Sequence, residues 1–153
     1  MSEQKGTKDK LIKLSASCID FTTRSPAKLG RSHMENTASQ PYYTLKFTTY
    51  NSANLEIEIK QLGGTSSIGL SIPYDLTIDI DPPCELATID ISKGSGDLTL
   101  DVSDSKGNAS PTITAPQTAS NLSLNAIGDT DTKLLKFNCN NEVIIGKICC
   151  FGS

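Results

Sequence analysis

The chain holds one histidine, five cysteines and no tryptophan among its 153 residues, so few catalytic devices are open to it. His33 stands in a stretch rich in Ser, Pro, Gly and Asn. A Ser-His-Asp or Cys-His device needs the imidazole within hydrogen-bond reach of the group it deprotonates. No such partner is near in sequence, and His33 reads as an exposed loop residue. Gly64-Thr65-Ser66-Ser67-Ile68-Gly69 lacks the G-x-S-x-G spacing of a nucleophile elbow and no helical pattern follows it, so it reads as a turn. Gly94-Ser95-Gly96 has no Lys-Ser/Thr ending and no helix behind it to cradle a phosphate. With no complete acid/base or nucleophilic set, the chain reads as a non-enzyme without a cofactor.

Binding chemistry has more candidates. Asp79 and Asp81 fall on one face of a strand pattern, and Asp129 and Asp131 form a second such pair. Carboxylates so paired suit a hard cation such as calcium, although no EF-hand spacing is present; a plain solvated strand face is the alternative. Tyr42, Tyr43 and Tyr50 are the tyrosines clustered closely enough to stack on a sugar ring. The cysteines are Cys18, Cys84, Cys139, Cys149 and Cys150. An odd count without regular spacing does not form a disulfide framework, and the absence of C-x-x-C argues against zinc. In a reducing compartment these are free thiols. Cys149 and Cys150 are adjacent, so in a strand they face opposite sides, and an outward thiol there can link two subunits.

The elements that must position these groups are strands. Ile12, Leu14, Ala16 and Cys18 alternate with polar residues, as do Tyr43, Leu45 and Phe47, then Leu55, Ile57 and Ile59, then Ile68, Leu70 and Ile72. The clearest pattern is Leu76-Thr77-Ile78-Asp79-Ile80, followed by Ala87-Thr88-Ile89-Asp90-Ile91 and Leu98-Thr99-Leu100-Asp101-Val102. Turn residues separate the three copies, including Asp81-Pro82-Pro83, and they read as consecutive strands of a meander. Further strands are marked by Leu122 and Leu124, by Leu135, Phe137 and Cys139, and by the apolar run from Val143 to Ile148. About nine or ten strands at intervals of about ten residues predict an all-β fold, an antiparallel β-sandwich or jelly-roll-like.

Charge divides the chain. Through Met34 there are seven basic and three acidic residues; from Glu35 onward there are seven basic and fourteen acidic. Residues 1–40 therefore read as a basic N-terminal arm and linker, and residues 41–153 as the sandwich body. The linker, Arg24 to Gln40, is rich in Ser, Pro, Ala and Gly. Gly30-Arg31-Ser32-His33-Met34 also reads as a junction, with residues 1–33 then an added leader. Such an arm suits nucleic acid or the acidic surface of a second copy. The ending Asn138-Cys139…Val143…Cys149-Cys150-Phe151 resembles the C-terminal end of satellite plant virus coat proteins. That resemblance implies a jelly roll with a basic arm, although the arm here is far less basic than theirs. No stretch has the length of a membrane span, and the lysine-rich start lacks the apolar segment of a secretory signal, so the default location is cytoplasmic.

These readings converge on a non-catalytic structural subunit, a homo-oligomer of the shell, capsid or fibre kind. Ile12, Leu14 and Cys18 of the arm and the terminal Cys149 and Cys150 would make the contacts between copies. The alternative is a sandwich that binds carbohydrate, calcium or a protein ligand through loops at its ends.

Overall fold

The structure, a computed structural model, describes residues 14–118 and 120–152. Among them are thirteen strands and no helix. They are β1 (Ser15–Asp20), β2 (Ala27–Gly30), β3 (Ser32–Asn36), β4 (Thr44–Thr48), β5 (Ile57–Gln61), β6 (Ile68–Ser71), β7 (Asp75–Cys84), β8 (Leu86–Lys93), β9 (Leu98–Ser103), β10 (Ile113–Ala115), β11 (Asn121–Ala126), β12 (Thr132–Cys139) and β13 (Val143–Gly152).

Two antiparallel sheets pack face to face as a β-sandwich. One has the order β11-β8-β13-β6-β5-β2, with β1 paired to β13 beside β6; the other has the order β10-β9-β12-β7-β4-β3. The alternation in sequence is the cause of this packing, since successive side chains in a strand face opposite ways. Leu76, Ile78 and Ile80 of β7 are buried, as are Ala87, Ile89 and Ile91 of β8 and Leu98, Leu100 and Val102 of β9. Phe47, Ile57, Leu70, Phe137, Ile145 and Ile148 belong to the same core. Burying each large side chain contributes about 1.5–3 kcal/mol, which offsets the entropy of ordering so many strands.

The three repeated strands are not a meander. β7 and β9 both pair with β12 in one sheet, while β8 lies between β11 and β13 in the other. Alternation specifies which face of a strand is buried but not its neighbour. The change of sheet occurs at Glu85, whose N–H donates to the Phe151 carbonyl at 2.8 Å. Pro82 and Pro83, expected in a turn, are inside β7. They are tolerated because β4 pairs with β7 only as far as Asp81, and β12 has a bulge between Thr132 and Leu134.

The strand count exceeds nine or ten because of β2, β3 and β10. Residues 24–40, expected as a linker, contain β2 and β3, which pair with β5 and β4 at the margins of the two sheets. Edge strands bury little, so their residues (Ser32, His33, Glu35 and Asn36 in β3) show no apolar alternation. β10 has three residues, too few to show a period.

Candidate functional site

One concavity combines exposed aromatic surface with polar groups. It has a volume of about 460 Å³ and lies where the outer face of β2, β5 and β6 meets the loops at one end of the sandwich. Its floor is Ser71, Ile72 and Val143, with Pro73 and Tyr74 beside them. The sequence produces this floor directly: Pro73 ends β6, and the Tyr74 N–H turns back to the Ile72 carbonyl at 3.1 Å. Tyr74 then adopts φ of +73° and remains 53% exposed. Asn54, on the opposing loop, has φ of +59° and is the other non-glycine residue with positive φ among the described residues. Left-handed backbone is ordinary for Asn but uncommon for Tyr. Such conformations persist where the surroundings over-determine them, often at binding sites.

The walls are held by side chains that the loops require. Asn51 donates to the Leu55 carbonyl and accepts the Leu55 N–H, both at 2.9 Å, which clamps the loop between β4 and β5. Arg31 donates to Asn54 at 2.9 Å and to the Asn51 carbonyl at 2.7 Å. The Asp75 carboxylate accepts from the Thr49 hydroxyl and the Tyr50 N–H, each at 2.9 Å, tying that loop to the start of β7. On the far wall, Asn140 accepts the Asp97 N–H at 2.8 Å and Asn141 donates to the Ser95 carbonyl. Glu142 accepts the Gly63 N–H at 2.9 Å and lies 3.9 Å from the Lys60 ammonium. Lys28 and Glu58 are cross-strand partners on the outer face. Lysines and carboxylates are thus interspersed: Lys28 and Lys60 against Glu56, Glu58 and Glu142. The groove therefore offers donors and acceptors without one dominant sign.

The residues singled out from sequence are dispersed. Tyr42 is exposed and Tyr50 more so, but they flank opposite ends of β4. Tyr43 is buried, with its hydroxyl where Gly152 lacks a side chain, so its ring is not offered to a sugar. Asp79 lies on the outer face of β7, 2.8 Å from the Lys133 ammonium, a close ion contact whose Asp79 Oδ1 lacks hydrogen-bond geometry. Asp81 is on the same face and exposed. Asp131 accepts from the Ser105 N–H at 2.7 Å and the Ser105 hydroxyl at 2.6 Å, which fastens two loops together. Asp129 lies in the same exposed loop. Among the described residues no group of three or more His, Cys, Asp or Glu is placed to hold a metal ion.

Asp104, absent from the sequence reading, is the more engaged carboxylate at that end. It accepts from the Asn108 N–H at 2.8 Å, the Lys106 N–H at 3.0 Å and the Thr130 hydroxyl at 3.0 Å. Burial alone pushes its carboxyl up, but the hydrogen bonds from Asn108 and Thr130 together outweigh that and hold it at about 2.

Three of the residues expected to join subunits, Cys18, Cys149 and Cys150, are engaged within the chain. Cys18 and Cys149 are cross-strand partners between β1 and β13 and form a disulfide, which overturns the free-thiol expectation for both. Cys150 is buried and cannot reach a second copy. Leu14 directly precedes β1, and Ile12 lies outside the described residues. His33 is not a loop residue; it lies in β3 with Nε2 2.8 Å from Glu35, which also accepts from Arg24 at 2.7 Å. Among the described residues no helix is long and apolar enough to cross a membrane.

Sequence reasoning missed Tyr74, Asn54 and the Asn140–Glu142 wall. Pro73-Tyr74 at a strand end and the Asn138-Cys139-Asn140-Asn141 turn were visible, but nothing local shows that these two turns and residues 54–56 converge.

No protein-family model matches the chain, and no curated protein matches it. Among solved structures it is similar to a family two carbohydrate esterase from Cellvibrio japonicus, with TM-score 0.44 and 9% identity over 92% of this chain and 34% of that one. It is similar to a Clostridium perfringens ZmpB structure of CBM51-2 in complex with GlcNAc and INT domains, with TM-score 0.38 and 10% identity over 92% of this chain and 41% of that one. A third is the enzymatically active domain of tailspike protein 4 of bacteriophage CBA120, with TM-score 0.29 and 12% identity over 96% and 20% of the two chains. This chain thus spans well under half the length of each.

Proposed function

We propose that this protein is a non-catalytic binding module whose groove takes a neutral carbohydrate. The carrying observation is Tyr74, half exposed at positive φ and set beside a concavity of about 460 Å³. An exposed ring supplies a flat apolar face for the C–H side of a sugar. Asn54, Asn140, Asn141, Glu56 and Glu58 supply the hydrogen-bonding groups that its hydroxyls need. The interspersed lysines and carboxylates favour an uncharged ligand over an anionic one. The strand order supports the architecture such a module uses. From β6 to β13 the sheets read β6-β13-β8-β11 and β7-β12-β9-β10, the nested order of a jelly roll, a fold found in both lectins and capsid subunits.

The capsid-like reading has less support, because two of its named residues, Cys18 and Cys149, are bonded to each other. The test is a titration of neutral and acidic oligosaccharides followed by calorimetry, with the unaltered chain and Tyr74→Ala. Binding of neutral sugars that Tyr74→Ala removes supports the proposal. Equal binding by both chains, or none by either, rejects it.

A further inference from the structure

The core holds two nucleophilic side chains that the groove does not use. Cys84 ends β7 and Cys150 lies in β13, and both are buried among the same core residues. Their approach follows from the change of sheet. The Glu85 N–H donates to the Phe151 carbonyl at 2.8 Å, so the residues that follow Cys84 and Cys150 are tied to each other where β7 ends against β13. The register partner of Cys150 is Ala87, itself a core residue, so Cys150 faces inward. There the two thiols are neighbours in one core. Their interaction holds Cys84 below the usual thiol range and pushes Cys150 above it, with burial adding to the rise at Cys150. The preceding residue, Cys149, faces outward and is bonded to Cys18. Two adjacent residues of β13 therefore each face a cysteine of their own.

We propose that Cys84 and Cys150 are a second oxidisable pair, closing to a disulfide between the sheets when the chain folds in the presence of a small-molecule disulfide. The Cys84 thiolate attacks one sulfur of the small disulfide, releasing one small thiolate and leaving a mixed disulfide. Cys150 gives its proton to solvent and displaces the second small thiolate, forming the Cys84–Cys150 bond. Two protein thiols and one small disulfide become one protein disulfide and two small thiols. Burial of both sulfurs sets the timing: exchange runs before β13 seals the core, and the finished bond is shielded from reductants. Cys139 is left as the odd thiol, its Sγ 3.6 Å from the Ile72 carbonyl. Two closed pairs and one half-buried thiol suit an oxidising compartment, and this inference is independent of the ligand groove.

The test is refolding of the fully reduced chain from urea with a mixture of reduced and oxidised glutathione. The product is denatured in acid, alkylated with a maleimide and weighed. One labelled thiol, with a non-reducing peptide map joining Cys84 to Cys150, is the expected result. Three labelled thiols, as when only Cys18–Cys149 has closed, overturn the proposal; so does a map joining Cys84 or Cys150 to Cys139. The Cys139→Ser chain, refolded alike, is expected to carry no label, and a label on Cys84 or Cys150 there also overturns it.

Discussion

The Lys93 ammonium donates to the Gln117 carbonyl at 3.0 Å, joining the turn after β8 to the loop that leads into β11. Lys93 is 2% exposed and opposite Val143, at a position the strand pattern reserves for an apolar residue. It also donates to the Gly96 and Gly94 carbonyls, at 3.1 and 3.3 Å. A buried ammonium is tolerated because backbone oxygens replace its water. Lys93→Met keeps most of the stem and takes the ammonium donor from all three carbonyls, of which Gln117 still accepts the Gly96 N–H at 3.4 Å. It is expected to lower stability by roughly 1–3 kcal/mol, read as a lower urea midpoint with an unchanged slope. Since Asn141 leans on Ser95 in the same turn, sugar affinity is expected to fall as well.

Asp104 gives the molecule an acid-sensitive fastening. Its carboxyl titrates at about 2 in the folded chain, against an ordinary value of 3.8. A depressed folded value means that its stabilisation is fully present above the ordinary carboxylate range and is lost as pH falls toward about 2. Replacing Asp104 by Asn is expected to flatten that part of the stability curve. Thermal melts of both chains between neutral pH and pH 2 should converge as the pH falls, and a constant gap would contradict this account.

On the proposed function, substitution at Tyr74 separates binding from folding. Tyr74→Gly removes the ring and relieves a left-handed backbone conformation worth about 1–2 kcal/mol. Against this stands about 0.5–1 kcal/mol for the added freedom of glycine in the unfolded chain. The variant is therefore expected to be at least as stable as the unaltered chain while binding no sugar, with chemical denaturation and calorimetry as the two readouts.

The Cys18–Cys149 bond closes a span of 131 residues, so it restricts nearly the whole unfolded chain. The chain-entropy treatment assigns about 5 kcal/mol to a loop of that size. Cys18→Ser is expected to lower stability by several kcal/mol, measured by urea unfolding at pH 7. Because the bond is internal, reductant is expected to leave the mass seen in light scattering unchanged.

Burial was legible in the sequence far more than adjacency. The repeats at Leu76, Ala87 and Leu98 announce buried faces, and each is buried. Their partners were not legible, because the chain changes sheet at Glu85, a residue with no turn chemistry of its own. His33, Glu35 and Asn36 showed no strand signal because β3 is an edge where one polar residue suits as well as another. Cys18 and Cys149 defeat counting for a different reason: an odd total conceals a pair that only register brings together. Tyr74 was passed over because a turn tyrosine has no periodic signature, and its partners in the groove come from remote segments.

β13 reaches from the groove, where Val143 forms part of the floor, to Gly152, which is paired with Ser15 of β1. At about 3.3 Å per residue this strand spans about 30 Å. Ser15 and Gly152 therefore lie together at the pole opposite the groove. The nearness of Ser15 to Gly152 permits a circular permutant in which a short linker joins these two residues and the chain is reopened in the turn at Gly63-Gly64, without breaking the order of either sheet.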